Sequence, residues 1–181
     1  MLRHRPRVVV RRVTGAELDR ILEIENACFG VDAYDRNTFA GYLGRNGDLF
    51  RAAWRAGQML GYTLACVIRG RAEVISVAVD PAARRQGVAR ALMNSLLRTL
   101  RRRNVEFVAL MVRVANPGAQ ALYEELGFRT VRIWRGYYDD GADGWLMHLR
   151  AGGVVTPPSP ACGRRGSGEE GFGWTSRPYA G

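Results

Sequence analysis

The sequence of 181 residues contains no lysine, and all 27 of its basic residues are arginine. The absence of lysine excludes a Schiff-base mechanism, which needs a side-chain amine, and a Walker phosphate loop, which needs its lysine. Cysteine is also scarce: Cys28, Cys66 and Cys162 lack metal-ligand spacing, and their odd number argues against a disulfide framework. We therefore expect a reducing, cytoplasmic location and no bound metal.

Long apolar segments are missing as well. No run reaches the roughly 18 apolar residues that suggest a membrane span, and the basic segment Met1–Pro6 is not followed by the apolar region of a signal peptide. We therefore expect no association with a membrane. The net charge of +10 comes from dispersed arginines. Both a solvated arginine-rich surface and an affinity for RNA or another polyanion are compatible with that dispersion.

Composition divides the chain into a globular domain at residues 1–150 and a tail rich in Gly, Pro and Ser at residues 151–181, which we expect to be disordered. Hydrophobic periodicity in the domain predicts, in order, a strand, two helices, three antiparallel strands, a helix, a strand, a helix and two strands. The second helix is expected at Asn37–Leu43, and the three antiparallel strands at Leu49–Arg55, Met59–Ile68 and Ala72–Val79.

The most specific local pattern is the segment Arg84–Ala89, which reads Arg-Arg-Gln-Gly-Val-Ala. It follows the apolar strand Val74–Val79 and precedes a helix in which Val88, Leu92 and Leu96 recur every four residues. The N–H groups at a helix start have no intrahelical partner, and the helix dipole adds partial positive charge. With the arginines, they predict a site for an anion such as a phosphate.

The order of elements resembles the GNAT (Gcn5-related N-acetyltransferase) superfamily. Its acetyl-CoA signature, Arg/Gln-x-x-Gly-x-Gly/Ala, is matched by Arg84–Ala89, with Val-Ala-Val-Asp-Pro at residues 77–81 before it. Val-Arg-Val-Ala-Asn at residues 112–116 and Ala-Leu-Tyr-Glu-Glu-Leu-Gly-Phe at residues 121–128 follow it. These later segments and residues 136–147 resemble RimI-like ribosomal-protein alanine N-acetyltransferases and archaeal N-terminal acetyltransferases. The resemblance covers roughly residues 7–150.

The resemblance implies an α/β (α+β) GNAT fold whose mixed central sheet has about seven strands, is splayed in the middle and carries four helices. It also implies that the pyrophosphate of acetyl-CoA lies on the turn and helix start, while the pantetheine arm pairs with the preceding strand like an added strand. The residues implied to bind acetyl-CoA are Val77, Ala78, Val79, Arg84, Arg85, Gln86, Gly87, Val88, Ala89, Arg90 and Asn116. Asn116 also reads as a helix N-cap, and the two roles are compatible.

The implied reaction is direct attack of a neutral amine on the thioester in a ternary complex, without a metal. Tyr123 matches the family's general acid, although a core aromatic residue on an amphipathic helix is the alternative interpretation. Met111 stands where RimI-like members carry a glutamate base, and it cannot accept a proton. Glu73 is the first replacement we consider, against an exposed acid at a strand end, and Glu25 is a weaker candidate.

Contacts with the acceptor are expected from the two segments that flank the splayed strands. The residues that we expect to bind the acceptor are Phe29, Tyr34, Tyr137 and Tyr138. Asp32, Asp35, Asp139 and Asp140 suit either a cationic amine or ordinary turns. The loss of the family base favours an amine of low pKa, because roughly a fifth of an α-amino group is neutral near pH 7, against about one part in a thousand of a lysine.

The sequence therefore predicts an acetyl-CoA-dependent N-acetyltransferase that acts on a protein N-terminus, such as that of a ribosomal protein. The alternatives are an acetyltransferase for small amines and a catalytically weak module that binds acetyl-CoA or RNA. RNA contact is compatible with the charge but not required. We expect a monomer or a weak dimer.

Overall fold

Residues 7–150 are described by the computed structural model, and within them a seven-stranded sheet carries helices on both faces. The strands are β1 (Val9–Arg12), β2 (Phe50–Arg55), β3 (Gln58–Ile68), β4 (Arg71–Val79), β5 (Phe107–Arg113), β6 (Arg129–Trp134) and β7 (Gly144–Arg150). The α-helices of this region are α1 (Leu18–Phe29), α2 (Arg36–Asn46), α3 (Val88–Arg102) and α4 (Pro117–Glu125). Single 3₁₀ turns lie at Gly15–Glu17, Gly30–Asp32 and Pro81–Ala83.

The expected order of elements and fold class are confirmed, and the boundaries of individual elements shift by small amounts. The largest extension is α2, which begins at Arg36 and continues to Asn46 rather than ending at Leu43. Its start is fixed by Asp35, whose carboxylate accepts the Thr38 N–H at 2.8 Å as an N-cap. Residues 1–6, the tail at 151–181 and Cys162 lie outside the described residues.

The sheet has the strand order β1-β2-β3-β4-β5-β7-β6, and only the β4–β5 pair is parallel. That pair is short: it joins Arg71–Glu73 to Phe107–Ala109 and then stops, although both strands continue. A β-bulge begins at the same point, because Ser76 pairs with Leu64 and Val74 with Ala65, which leaves Ile75 as an extra residue. Bulges bend a strand and increase its twist, so β4 diverges from β5 and the expected splay is confirmed.

Two layers of apolar side chains cover the sheet. Helices α3 and α4 pack on one face, where Leu96 and Tyr123 are buried against Val74 and Val112. Helices α1 and α2 pack on the other face, where Ile24 and Phe39 are buried with Tyr62 and Ala78. We refer to the first as the α3 face and to the second as the α1 face. Beyond Glu73 and Ala109 the backbones of β4 and β5 no longer pair, which leaves an opening between the two strands in the middle of the sheet.

Candidate active site

The β4 side of the opening presents unpaired backbone groups. The Asp80 N–H donates to the Leu60 carbonyl at 2.9 Å, so Val79 and Val77 occupy the non-hydrogen-bonded positions of the β3–β4 ladder. Their N–H and C=O groups therefore point away from β3 and towards the opening. Ala78 is oriented the other way, towards Tyr62 on β3. Of the three strand residues expected to pair with the pantetheine arm, two thus direct backbone groups into the opening.

One of these carbonyls already has a partner. The Cys28 thiol at the end of α1 lies 3.3 Å from the Val79 oxygen and donates to it. Burial raises the pKa of this thiol, so it remains a neutral donor. Within β4, the Val77 amide and carbonyl and the Val79 amide are consequently the groups best placed to pair with an incoming extended chain.

The turn that follows β4 forms an open cradle at the start of α3. Gly87 is the N-cap and has a φ of +77°, and no atom lies within 4 Å of the place where a Cβ would stand. The positive φ favours glycine, and the open space leaves the first N–H groups of α3 accessible from outside. Arg85 also has a positive φ of +59°. Its exposed side chain makes no ion pair with any residue in the described range and approaches Gly118, so it reaches across to the start of α4.

The other side chains of the cradle engage the protein itself. Arg84 lies 3.7 Å from the Cys28 sulfur, and the Gln86 side chain accepts from Arg55 at 2.6 Å. Arg90 pairs with Glu125, which ties α3 to α4. These contacts fix the shape of the turn, while the backbone of the helix start and the Arg85 guanidinium face outward. Val88 is buried on α3, and Ala89 follows it half-buried.

Glu73 lies at the inner end of the opening, at the last paired position between β4 and β5, opposite Ala109. It is only 6% exposed, which rules out the exposed strand-end acid considered from the sequence. Its Oε1 is buried and has no hydrogen-bond partner within residues 7–150. Burial raises the pKa of Glu73 from its ordinary value of 4.5 to about 7. A carboxyl with this pKa is half ionised near neutral pH, which suits a general base.

Met111 occupies the corresponding place on β5. It lies two residues beyond Ala109 and hence on the same face as Glu73, because side chains alternate along a strand. A Cβ placed on Gly144 of β7 would lie 2.7 Å from the Met111 methyl carbon, so the thioether extends over that glycine. Met111 therefore offers no proton acceptor on β5, and the carboxyl group at the inner end of the opening comes from β4.

Tyr123 and Asn116 both belong to α4, on the far side of the cradle. Tyr123 is 1% exposed, and its ring packs edge to face on Phe128 at a centroid distance of 5.8 Å. The helix therefore holds the ring rigidly, and the ring also belongs to the α3-face core. Asn116 is the N-cap of α4 and accepts the Ala119 N–H at 3.1 Å. Because Gly118 has no side chain, the Arg85 guanidinium can lie close to this N-cap.

The loop between α1 and α2 is anchored by a buried acid. Glu25 is fully buried and accepts the Tyr34 backbone N–H at 2.9 Å and the Tyr62 hydroxyl. This network places Glu25 as a support for the loop, which argues against its role as a base. The Tyr34 ring packs edge to face on Phe39, and Phe29, at the end of α1, is half-buried.

The hairpin between β6 and β7 flanks the opening from the other side. The Tyr137 and Tyr138 rings pack edge to face at 5.0 Å. Tyr138 is buried, and its hydroxyl has no hydrogen-bond partner among the residues described. Burial raises the pKa of this phenol above its ordinary value, so it stays protonated. The contact of Phe29, Tyr34, Tyr137 and Tyr138 with an acceptor stays a prediction.

Two features of the site had no recognised role in the sequence. Cys28 contacts Val79 and Arg84 from a helix far away in the chain. Arg113, at the end of β5, contacts both flanking segments through Asp32 and Asp140. Such contacts join residues that are 27 or more positions apart, so no local spacing could reveal them. Across residues 7–150 there is no group of His, Cys, Asp and Glu side chains able to hold a metal ion, and no helix is long and apolar enough to cross a membrane.

A sheet that opens between two parallel strands, with an exposed helix start at one end and a buried acid at the other, is suited to a transferase that binds a long, phosphate-bearing donor. Comparison with known proteins agrees, since residues 18–128 match the Acetyltransferase (GNAT) family. The chain belongs to this family.

Relatives and solved structures of the family align with most of the domain. The chain is 31% identical over 144 residues to an N-alpha-acetyltransferase of Saccharolobus solfataricus, covering 72% of this chain and 86% of the relative. It is 40% identical over 96 residues to the [ribosomal protein bS18]-alanine N-acetyltransferase of Escherichia coli K12, covering 51% and 65%. The crystal structure of the ribosomal-protein-S18-alanine N-acetyltransferase from Escherichia coli superimposes with a TM-score of 0.73 and 30% identity, covering 82% of this chain and 97% of that chain.

Proposed function

We propose that this protein transfers the acetyl group of acetyl-CoA to the N-terminal α-amine of a protein. The observation that carries the proposal is the position of Glu73: a buried carboxyl at the inner end of the opening, with the anion cradle at the outer end. The six residue steps from Glu73 to Val79 span about 20 Å along β4. A long arm that is bound at its phosphate end by the cradle therefore reaches Glu73 with its other end.

The residues of the opening fit the parts of acetyl-CoA. The start of α3 and Arg85 would hold the pyrophosphate, and the outward backbone groups of Val77 and Val79 would pair with the amides of the arm. Gly87 leaves the cradle open for the close approach of phosphate oxygens. Acetyl-CoA supplies an activated thioester, and the chain's own residues orient it and handle protons.

Proton transfer is assigned to Glu73 and Tyr123. Glu73 would take the proton of the acceptor ammonium, directly or through one water, and so generate the neutral amine that attacks. Tyr123, whose ring is fixed in the α3-face core, would donate its phenolic proton to the departing sulfur as the C–S bond breaks. The nitrogen of the new amide would give up its second proton to the resulting phenolate, which restores Tyr123. The enzyme's remaining contribution is to hold donor and acceptor together, which can supply a large part of the rate enhancement.

The α-amine is favoured as acceptor by the chemistry of the site and by the relatives. A base with a pKa of about 7 is closely matched to an α-amino group, whose pKa is about 7.7–8.0. Two of the relatives above are named as acetylating alanine of ribosomal protein bS18 and α-amino groups. A ribosomal protein is therefore the first acceptor to test. RNA contact, a monomeric or weakly dimeric state and a cytoplasmic location stay predictions.

The test is a panel of peptides of one sequence, with CoA release measured by chromatography and the acetylated position by mass spectrometry. The first peptide has a free α-amine and no lysine, the second is blocked at its N-terminus and carries one internal lysine, and the third is blocked and lacks lysine. Sequences from ribosomal-protein N-termini are included. We expect turnover of the first peptide only. A preference for the lysine peptide, or for a small polyamine over every peptide, would overturn the proposed acceptor.

A further inference from the structure

Arg113 joins the two segments that flank the opening. One guanidinium nitrogen donates to Asp140 on the β6–β7 hairpin at 2.7 Å, and the other lies 3.7 Å from Asp32 on the α1–α2 loop. The guanidinium carbon also stands 4.2 Å from the centre of the Tyr138 ring. A single side chain at the end of β5 thus contacts a carboxylate on each side and the aromatic ring between them.

The two ends of this arrangement differ in strength. Asp140 is braced, because its second oxygen accepts the Ala142 N–H at 3.1 Å, and the Arg113 hydrogen bond lowers the pKa of its carboxyl. The Asp32 contact at 3.7 Å is too long for a hydrogen bond and acts only through charge. The interaction of Arg113 with the hairpin is therefore stronger than its interaction with the loop.

The ring beneath Arg113 belongs to a tyrosine whose hydroxyl is unsatisfied within the described residues. The Tyr138 hydroxyl is buried without a hydrogen-bond partner among residues 7–150, while its ring is fixed by Arg113 and Tyr137. A buried polar group of this kind is costly unless something supplies a partner. The ring and the Arg113 guanidinium thus form one packed unit, which fixes the hairpin relative to the end of β5.

We propose that Arg113 is a positioning residue: it clasps Asp32 and Asp140 across the acceptor entrance and so sets the separation of the two segments. This inference rests on the proposed function and deepens it. The Arg113 side chain contacts the loop and the hairpin, so its effect should fall on the acceptor. Arginine suits the role because its planar fork reaches two carboxylates and stacks on a ring, whereas lysine is a single point charge.

The experiment measures the KM for a free α-amine peptide and the KM for acetyl-CoA separately. We expect Arg113→Met to raise the peptide KM about tenfold or more, because a charge-assisted hydrogen bond and a cation–π contact are lost together, with the acetyl-CoA KM unchanged. Arg113→Lys should fall in between. Asp32→Asn should raise the peptide KM only about threefold, since the contact it removes is long and partly exposed. Arg113→Met combined with Asp140→Asn should be no worse than the more impaired single variant.

The matched control is Arg135→Met, which removes an arginine of the same hairpin that pairs with Asp143 at 2.9 Å and is 80% exposed. It should leave both KM values within about twofold. Three results would each contradict the proposed clasp: Arg113→Met changes both KM values equally, Arg135→Met has the same effect as Arg113→Met, or Arg113→Met leaves the peptide KM unchanged.

Hydrogen–deuterium exchange provides a readout that needs no turnover. Arg113→Met should speed exchange in residues 30–35 and 136–143 and not in α3. If the wild-type protein acetylated no peptide, the proposed function would fail, whereas unchanged exchange in those segments would refute the clasp itself.

Discussion

Replacing Glu73 by Gln removes the carboxyl group at the inner end of the opening with little change in shape. If Glu73 is the base, kcat should fall by a factor of about 10² to 10⁴, the usual contribution of a positioned proton acceptor. The ring packing, cradle and acceptor segments do not depend on this carboxyl, so the KM for acetyl-CoA should stay within about twofold. The assay is CoA release with a free α-amine peptide.

The pH dependence gives a second, independent readout. In the wild-type protein, kcat/KM should rise with pH as Glu73 ionises at about 7, because its carboxylate then takes the proton of the acceptor ammonium. Without this base, the rise should follow the ionisation of the acceptor α-amine at about 7.7–8.0. In Glu73→Gln, only the acceptor ionisation should remain. A variant that retains more than a tenth of wild-type kcat, or whose profile keeps the inflection near pH 7, would refute the assignment.

The same substitution should increase stability at high pH. Folding raises the pKa of Glu73 from 4.5 to about 7, so ionisation of its buried carboxyl opposes folding. The destabilisation is absent below pH 4.5, grows between pH 4.5 and 7 and is complete above pH 7. Its size is at most about 3 kcal/mol. Glu73→Gln should therefore unfold at a higher denaturant concentration than wild type at pH 8 and at a similar one at pH 4.

Glu106→Gln is the matched control for these measurements. Glu106 is exposed just before β5, on the strand that pairs with Glu73. Its replacement should change neither kcat nor the pH dependence of unfolding. A variant that loses activity while gaining stability at pH 8 separates a chemical role from a structural one, because a structural carboxyl would lose both.

Two further substitutions test the remaining parts of the site. Gly87→Ala should lower the free energy of unfolding by about 1 kcal/mol, because alanine is strained at a φ of +77°, and denaturant unfolding measures this loss. The added methyl group would occupy the open space of the cradle, so the KM for acetyl-CoA, measured by turnover, should rise. An unchanged KM would show that the cradle does not bind the donor. Tyr123→Phe keeps the packing on Phe128 and should lower kcat by about 10² to 10³ with the midpoint of thermal unfolding nearly unchanged. Full activity of that variant would leave Tyr123 as a core residue alone.

The order of elements was predictable because it depends on local features. The apolar stripe of α3, the Asn116–Pro117 start of α4 and the glycine after it each report on a few neighbouring residues. The depth of the splay was not derivable from the residues themselves. It depends on the bulge at Ile75, which appears only when β3 and β4 are aligned, and it entered the prediction through the family resemblance.

The burial of Glu73 was beyond the sequence for a similar reason. Next to Arg71 and near a turn, it resembles an exposed strand-end acid, but its strand pairs on both sides, with Cys66 on β3 and Ala109 on β5. Burial is set by what packs around a residue in space, and that information is spread over three strands. The long-range contacts of Arg113 were hidden in the same way, since Asp32 and Asp140 come from opposite parts of the chain.

A base at Glu73 would take the place of the glutamate that the family resemblance implies at residue 111. Glu73 and Met111 lie on adjacent strands and on the same face, so a carboxyl on either strand reaches the same space at the inner end of the opening. The thioether extends over Gly144 of β7, so residue 111 itself brings no carboxyl group to this space. An apolar setting raises the pKa of the carboxyl to about 7. Transfer of a proton to it then costs about 1 kcal/mol from an α-ammonium and about 5 kcal/mol from a lysine. If Glu73 is the base, its raised pKa thus suits an N-terminal amine better than a lysine side chain.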